Sequence, residues 1–420
     1  MRKLVSLEEA LRAIEEAVPA QPVGVVELSL EEALWRVAAE DVVAPMDVPG
    51  FRRALMDGYA VRAEDTFGAE LEGPVRLRLV GSVRMGEPAE VRIGPGECVE
   101  VATGAMMPEG ADAVVRVEAT VREGDEVLVF EPVAPGQNVM AVGADVRAGD
   151  VVLRAGELLT PAKLGVLSAL GLRSVRVFKR PRVAVISTGD ELVEPGRPLE
   201  PGKIYDINWA TLTAAIRVAG GEPIFMGRAG DELDELTELL SRALEGADMV
   251  VASGASSVGS ADIMRDALRA VGARVIVDGI RCKPGKPTIV ALRGRKPLFC
   301  LPGHPTSALT TFMVFAEPVL AKMAGLKGVR RPVAKAILVS RVLPDTGRHN
   351  FVPVALERSP DGHLLAKPIA KGSGAITSLS SAHGLVEAPE GTELLPEGSE
   401  VEVRLFWPAW PIGRSDVELW

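Results

Sequence analysis

Between Arg182 and Ala324, short apolar segments alternate with amphipathic segments of helical length, and this alternation constrains the fold more than any other feature. Three segments have the length and apolar content of buried parallel strands, at 182–187, 224–226 and 248–252. Two intervening segments have helical spacing, at 208–219 and 231–244. Such βαβ alternation predicts a doubly wound, mostly parallel sheet that is covered by helices on both faces.

Three loops in this region are rich in Gly, Pro, Ser and Lys, at 253–260, 283–287 and 301–307. Small residues let the backbone approach an anion closely, and Lys283 and Lys286 add positive charge. Ligands of open α/β sheets bind beyond the carboxyl ends of the strands. The loops are therefore predicted to form one phosphate-binding site.

Outside this region the pattern predicts further domains, so the chain is interpreted as a multidomain α/β protein. Alternating strands predict an inserted β-rich domain at 49–140 and a small C-terminal β-barrel-like domain at 329–407. Residues 179–328 are predicted to form the doubly wound domain, which would bind substrate, and 408–420 are predicted to form a tail. Residues 1–48 and 141–178 are predicted to form a helical linker domain. Its helices are indicated by capping boxes at Ser6/Glu9 and Ser29/Glu32 and by Thr160 before Pro161.

Composition limits the kinds of partner. A net charge of −10 over 420 residues argues against nucleic acid or an acidic membrane surface as a partner, although a local basic pocket could still bind a small anion. The three cysteines have no CxxC spacing, which favours buried thiols in a reducing compartment over structural zinc. With no long apolar run and an acidic amino terminus, the chain is expected to be a soluble cytoplasmic protein.

Several short motifs occur along nearly the whole chain. They are MDGYA at 56–60, TGA at 103–105, PEGADAVV at 108–115, STGDEL at 187–192, KPGKP at 283–287, LPG at 301–303 and GSG at 372–374. Each motif alone is weakly informative. Taken together and in this order, they resemble the molybdopterin molybdenumtransferase family, which includes MoeA and the gephyrin E-domain proteins.

The resemblance implies insertion of molybdate into adenylylated molybdopterin with release of AMP, a requirement for Mg²⁺, and a homodimer with a site shared between subunits. An adenylyltransferase of the same pathway is a possible partner. Ala255, Ser260 and His304 depart from the family's usual pattern, which leaves tungstate open as the inserted oxyanion. Two other functional hypotheses stay open, namely an enzyme that adenylylates molybdopterin and a non-catalytic scaffold that binds a pterin or nucleotide.

The same resemblance assigns the site residues. Those with catalytic roles are Asp57, Asp145, Glu191, Asp231 and Asp262, and the metal ligands among them are Glu191, Asp231 and Asp262. Those that bind substrate are Thr103, Thr188, Gly189, Asp190, Gly254, Ser257, Lys283, Lys286, Pro302, Gly303, His304, Ser307, Arg348 and Ser373. Without the resemblance, Asp231 would be interpreted as a helix N-cap and Asp57 as a turn residue.

Overall fold

The computed structural model describes residues 4–254, 258–328, 331–369, 372 and 374–406. The described residues of Met1–Glu27, Trp35–Ala39 and Arg176–Trp420 form one compact unit, and those of Leu28–Leu34 and Glu40–Val175 form a second. The predicted inserted domain, 49–140, falls within the second unit. The predicted domain boundaries at 48, 140, 178 and 328 stay predictions.

The chain begins with helix α1 (Leu7–Ala17), followed by strand β1 (Val25–Ser29). The predicted capping box forms: the Ser6 hydroxyl accepts from the Glu9 N–H, and the Glu9 carboxylate accepts from the Ser6 N–H. The buried side chains of α1, Ala10 and Ile14, lie four residues apart on one helix face.

The prediction of a second helix after Ser29 is wrong. Ser29 and Glu32 do contact each other at 3.1 Å, and the Ala33 N–H donates to the Ser29 carbonyl. The turn ends at Trp35, whose φ of 58° lies in the left-handed region. Ala38 then forms an antiparallel bridge with Val177. The segment after Ser29 is therefore a single turn followed by extended backbone.

The second unit is built mainly from strands, which matches the prediction for its 49–140 segment. Its elements, up to the strand that leads back to the first unit, are β2 (Val42–Val43), β3 (Arg53–Ala54), β4 (Gly58–Val61), β5 (Val75–Val83), β6 (Glu97–Val101), β7 (Ala113–Arg116), β8 (Thr120–Glu123), β9 (Glu126–Val129), β10 (Val139–Met140), β11 (Val151–Leu153), α2 (Pro161–Ala169) and β12 (Ser174–Phe178). The main sheet has the order β7-β4-β6-β5-β9-β8. Tyr59 and Val61 pack into the core on one face, and Ala60 packs on the other.

The α/β domain follows. Its elements are β13 (Arg182–Thr188), β14 (Leu192–Val193), β15 (Ile204–Tyr205), α3 (Ile207–Val218), β16 (Glu222–Ala229), α4 (Leu233–Gly246), β17 (Met249–Ser253), α5 (Val258–Ala270), β18 (Arg274–Asp278), β19 (Cys282–Lys283), β20 (Ile289–Arg293), β21 (Lys296–Leu301), α6 (Pro305–Thr311) and α7 (Glu317–Met323), the last two joined by a π-helical turn, Phe312–Ala316. The sheet order is β16-β13-β17-β21-β20-β18. Among these six strands, β20 runs opposite to the other five and pairs antiparallel with both β18 and β21. No helix in the described part of the chain is both long and apolar enough to span a membrane.

Alternation along the strands explains why this sheet is covered on both faces. Val183 and Val185 of β13 pack with α1, α3, α6 and α7, whereas Ala184 and Ile186 pack with α4 and α5. All four side chains are fully buried. Burying each larger aliphatic side chain contributes about 1.5–3 kcal/mol to the stability of the fold. Alternate residues of β13 therefore stabilise the helical layers on opposite faces of the sheet. The doubly wound prediction is confirmed.

The C-terminal β domain is a closed barrel, as predicted. Its elements are β22 (Val333–Leu338), β23 (His349–Arg358), β24 (Leu364–Pro368), the short helix α8 (Thr377–Ser380), β25 (Gly384–Ala388) and β26 (Glu400–Leu405). The strands follow the order β23-β24-β22-β26-β25, and β25 pairs again with β23, which closes the ring. Strand β19 of the α/β domain pairs with β23 from outside the ring, so the two domains share backbone hydrogen bonds.

The three cysteines, Cys98, Cys282 and Cys300, are free and buried. Burial raises the pKa of each thiol to about 12 because the thiolate would lose its hydration. The thiols therefore stay protonated and act as small apolar groups, as the sequence predicts.

Candidate functional site

Four parallel strands of the α/β sheet, β13, β16, β17 and β21, end at one edge, and hydrogen bonds join these ends. The Thr188 hydroxyl donates to the Ser253 carbonyl at 3.2 Å, and the Gly189 N–H donates to the Ala229 carbonyl. The Gly254 N–H donates to the Leu301 carbonyl. Parallel strands place their carboxyl ends together, so the predicted residues Thr188, Gly189 and Gly254 meet here although they are distant in sequence.

Glycine at position 254 is required by close backbone contact. Its φ is +125°, and a Cβ there would lie 2.1 Å from the Thr188 carbonyl oxygen. Gly189 also has a positive φ, but the atoms nearest to a Cβ there belong to the flexible Glu191 carboxylate. Gly254 therefore sets how closely the loops after β13 and β17 approach each other.

Three carboxylates gather at the same edge. The Asp231 N–H donates to the Asp190 carboxylate at 3.0 Å, and the Lys203 ammonium donates to the Asp190 carbonyl. Partial burial and the negative charges of Asp190 and Glu191 raise the pKa of Asp231. The N-cap interpretation of Asp231 is wrong, because α4 is capped by Glu232 and shows no side-chain cap hydrogen bond. The Asp231 carboxylate is thus not used for capping.

Removing one of these charges is expected to stabilise the fold. For Asp231→Asn we expect the free energy of unfolding at about pH 7 to rise by up to about 0.5 kcal/mol, the scale of exposed charge pairs. Because the folded-state pKa of Asp231 is raised, its ionisation favours unfolding. The penalty is absent below its ordinary pKa of 3.8 and grows as pH rises through the raised value. Denaturant unfolding over this pH range measures the difference.

Asp234→Asn is the matched control, because Asp234 lies in the first turn of α4, where a negative charge is favourable. This variant should show no gain in stability. Equal gains for both substitutions would contradict repulsion within the Asp190, Glu191 and Asp231 cluster.

The third predicted metal ligand, Asp262, has a different environment. Its carboxylate accepts from the Arg265 Nη1 at 2.8 Å, and the Nε and Nη2 atoms of Arg265 donate to Asp278. Arg265 therefore links α5 to β18 and partly neutralises both acids. Asp262 is engaged in this ion-pair network.

The described residues contain no group of three His, Cys, Asp or Glu side chains placed to hold a metal ion. Magnesium, however, usually binds through one or two carboxylates together with water and substrate phosphates. The neighbouring carboxylates of Glu191 and Asp231 fit this mode, because a bound cation would offset both the burial and the mutual repulsion that raise the pKa of Asp231. The predicted Mg²⁺ site at Glu191, Asp231 and Asp262 stays a prediction.

A second feature is a cleft of about 850 Å³ between the α/β domain and the barrel. It brings together six of the predicted substrate-binding residues, which are Lys283, Lys286, Pro302, His304, Ser307 and Arg348. Its described lining contains no Asp or Glu. In a protein with a net charge of −10, such a concentration of cationic side chains indicates an anion-binding site.

The loop 283–287, which carries Lys283 and Lys286, is anchored by the barrel on one side and by α6 on the other. Cys282 and Lys283 pair with His349 and Asn350 of the barrel. Gly285, with φ +122°, packs so tightly that a Cβ would lie 2.5 Å from Thr311 of α6. The backbone is thus anchored while the side chains of Lys283 and Lys286 remain exposed. Residues of two of the three loops, 283–287 and 301–307, line this cleft, and the prediction that all three form one phosphate-binding site stays a prediction.

Asn350 organises the loop that carries Arg348, and the sequence interpretation missed it. The buried Asn350 amide donates to the carbonyls of Asp345 and Arg348, and its oxygen accepts from the Asp345 N–H. Arg348 also contacts the Asp345 carboxylate at 3.5 Å. An asparagine at the start of an apolar strand is the available signal, but its partners are known only from the tertiary structure.

Asn208 is a second residue that was missed. It lies in the first turn of α3, is 8% exposed, and donates from its amide nitrogen to the Gly303 carbonyl at 2.8 Å. The predicted Pro302–Gly303–His304 segment is thereby held from α3 as well as from its own strand, β21.

The second unit contains the remaining described site residues. The Asp57 carboxylate accepts from the Thr103 N–H at 2.6 Å and from its hydroxyl at 2.8 Å. These two hydrogen bonds lower the pKa of Asp57, and the bond from the backbone N–H has the larger effect. Asp57 and Thr103, which the resemblance assigns separately to the site, are therefore in direct contact. Asp145 is exposed, and its N–H donates to the Val48 carbonyl.

Ser257, Ser373 and the departure at Ala255 lie outside the described residues. The predictions made for them remain as stated from the sequence.

Family models match three regions of the chain. The model described as the MoeA N-terminal region (domain I and II) matches residues 5–171, and a probable molybdopterin binding domain matches 184–322. The MoeA C-terminal region (domain IV) matches 335–406. The matched regions therefore include the strand-rich second unit, the α/β domain and the barrel.

Curated relatives and solved structures match over nearly the full length. Molybdopterin molybdenumtransferase 2 of Mycobacterium tuberculosis is 36% identical over 404 residues, covering 95% of this chain and 98% of the relative. Molybdopterin molybdenumtransferase of Bacillus subtilis is 33% identical, with 92% and 93% covered.

A crystal structure of a molybdopterin biosynthesis MoeA protein from Pyrococcus horikoshii has 45% identity and a TM-score of 0.84, with 97% of this chain and 100% of that chain covered. A second MoeA structure from this organism has 34% identity and a TM-score of 0.82, with 96% and 100% covered. With the site geometry, the full-length match and the order of the three regions in agreement, this chain belongs to the MoeA family of molybdopterin molybdenumtransferases.

Proposed function

We propose that this protein inserts molybdate into adenylylated molybdopterin and releases AMP, as a molybdopterin molybdenumtransferase. The observation that carries the proposal is the basic cleft. Relatives named molybdopterin molybdenumtransferase also match this chain over almost its whole length. Matches to the N-terminal and C-terminal MoeA regions favour this reaction over adenylylation of molybdopterin.

The cleft has the chemistry that an oxyanion substrate needs. Lys283, Lys286 and Arg348 supply positive charge, and the described lining has no carboxylate to repel a dianion. Lysine ammonium groups act as point charges, so they accept a tetrahedral oxyanion in several orientations. In this proposal they bind molybdate beside the dithiolene end of the pterin, while Pro302, His304 and Ser307 form the facing wall.

The carboxylates at the sheet edge have a complementary role in the proposal. Glu191 and Asp231 would hold Mg²⁺, which neutralises charge on the phosphate oxygens when it is bound. The Asp190 carboxylate orients Asp231 through the Asp231 N–H at 3.0 Å. Release of AMP is a displacement at phosphorus, in which water forms the new P–O bond and the pterin phosphate oxygen leaves.

The decisive experiment supplies purified protein with adenylylated molybdopterin, Mg²⁺ and molybdate, and measures AMP by chromatography together with reconstitution of an apo-molybdoenzyme. The proposal expects both AMP and active cofactor. Binding of AMP and molybdate without any turnover would favour a scaffold, and ATP consumption without molybdate would favour an adenylyltransferase. A parallel reaction with tungstate distinguishes the two oxyanions.

The role of Mg²⁺ has a separate readout that does not require turnover. Titrating Mg²⁺ in the presence of AMP should raise the melting temperature of the wild-type protein. The same titration should have little effect on Asp231→Asn, which lacks one proposed ligand. An equal shift in both proteins would remove Asp231 from the metal site.

We also propose that the protein is a homodimer, as the family resemblance implies. Leu11 on α1 is 40% exposed and, with Val314 and Val319, lines a groove that also contains the Glu15–Lys322 ion pair. Burial of this groove against a second copy would remove apolar surface from water. Sedimentation velocity decides the matter, and a monomer at micromolar concentration would refute it.

A further inference from the structure

The first turn of α3 is fixed by a buried ion pair. Asp206, which is 1% exposed, caps the helix by accepting from the Trp209 N–H at 3.0 Å. Its other carboxylate oxygen accepts from the Arg228 Nε at 3.0 Å. Arg228 in turn lies over the Phe225 ring at 5.1 Å. The backbone at the start of α3 therefore has little freedom, and the next residues of the turn are presented in a defined direction.

Asn208 uses this rigid support to hold the Pro302–Gly303–His304 segment. Its amide nitrogen donates to the Gly303 carbonyl, so the amide orientation is defined by that contact. The Asn208 Oδ1 atom is buried and has no hydrogen-bond partner among the described residues. A buried acceptor without a partner destabilises a fold, so such an atom in a native protein calls for an explanation.

We propose that Asn208 is a positioning residue, which holds the Gly303 carbonyl and thereby keeps Pro302 and His304 in place as one wall of the basic cleft. The proposal rests on the proposed function for its ligand, since the wall is expected to contact the nucleotide part of the substrate. Asn208 contacts no reacting atom in this scheme. It acts through the backbone of the segment.

The main test is Asn208→Ala. This substitution removes the Gly303 hydrogen bond and also the unpartnered Oδ1, and the two effects on stability oppose each other. The melting temperature should therefore remain close to that of the wild type. Amide hydrogen exchange in a peptide covering 302–308 should become faster, and AMP affinity measured by calorimetry should fall about five- to tenfold, the effect of one lost neutral hydrogen bond.

Thr213→Val is the matched control. Thr213 lies on the same helix, and its hydroxyl is also buried without a partner among the described residues. This variant should leave both the exchange of 302–308 and AMP affinity unchanged. If alanine at position 208 impairs folding, Asn208→Ser applies the same test, because its shorter side chain ends before the Gly303 carbonyl.

The outcomes separate the two proposals. Unchanged exchange of 302–308 in Asn208→Ala would overturn the positioning role, whatever the ligand. Faster exchange with unchanged AMP affinity would also overturn it, because the wall would then not serve the ligand. Failure of the wild-type protein to bind AMP would count against the proposed function, while the exchange experiment would still decide the role of Asn208.

Discussion

Lys286→Met is expected to weaken molybdate binding by about tenfold to a hundredfold, since a hydrogen bond to a charged group contributes about 1.5–3 kcal/mol. The Lys286 side chain is exposed, and its loop is held by backbone contacts, including donation from the Ile280 N–H to the Lys286 carbonyl. The fold should therefore be unaffected. Calorimetry with molybdate measures the loss, and thermal melting checks the fold.

Two comparisons make this prediction specific. Lys286→Arg keeps the charge and should retain most of the affinity. Lys367→Met removes an exposed lysine from β24 that pairs with Glu357 at 3.9 Å, and it should leave molybdate binding unchanged. Added salt should weaken binding to the wild type more than to Lys286→Met, because fewer charges remain to be screened in the variant. Wild-type affinity in Lys286→Met would remove this lysine from the oxyanion site.

Gly254→Ala is expected to lower the free energy of unfolding by about 3 kcal/mol or more, because it combines a left-handed backbone with a steric clash. The new Cβ would lie 2.1 Å from the Thr188 carbonyl oxygen and 2.2 Å from its hydroxyl. Backbone cannot rotate away as a side chain can, so the loops after β13 and β17 would have to separate. Denaturant unfolding measures the loss, and AMP affinity should fall with it.

Gly246→Ala controls for the loss of a glycine in the same domain. Gly246 is the last residue of α4, its φ is not left-handed, and no atom lies within 4 Å of a Cβ placed there. Alanine is the better helix former by about 1 kcal/mol in a helix interior, so this variant should be neutral or slightly more stable. Equal stability of Gly254→Ala and the wild type would contradict the proposed role of the contact with Thr188.

Some elements of this fold were predictable from the sequence and others were not. Strand β17 was predictable because a run of apolar residues between turn residues is buried on both faces. The segment after Ser29 was not, because Ser29 and Glu32 contact each other through their side chains, the chain turns at Trp35, and Ala38 then pairs with Val177. Local motifs start a helix, whereas tertiary pairing decides whether it continues.

The candidate site shows the same division. The lysine motif at 283–287 was identified from its residues, but its position beside Arg348 depends on β19, a strand of only two residues that pairs with the barrel. Such a short strand has no periodicity to detect. Asn208 and Asn350 were missed because a buried asparagine is recognisable only by its partners.

By itself, the sequence determined the alternation of strands and helices in the α/β domain, the loops at the carboxyl edge and the family resemblance, because alternation, capping and short motifs are local properties of the chain. The tertiary structure decided which charged groups meet. It gathered Asp190, Glu191 and Asp231 at the sheet edge, paired Asp262 with Arg265, and placed Lys283 and Lys286 with Arg348 in a cleft whose described lining is free of carboxylates. The physical reason is that side-chain neighbours depend on strand order, register and domain packing, which no local pattern encodes.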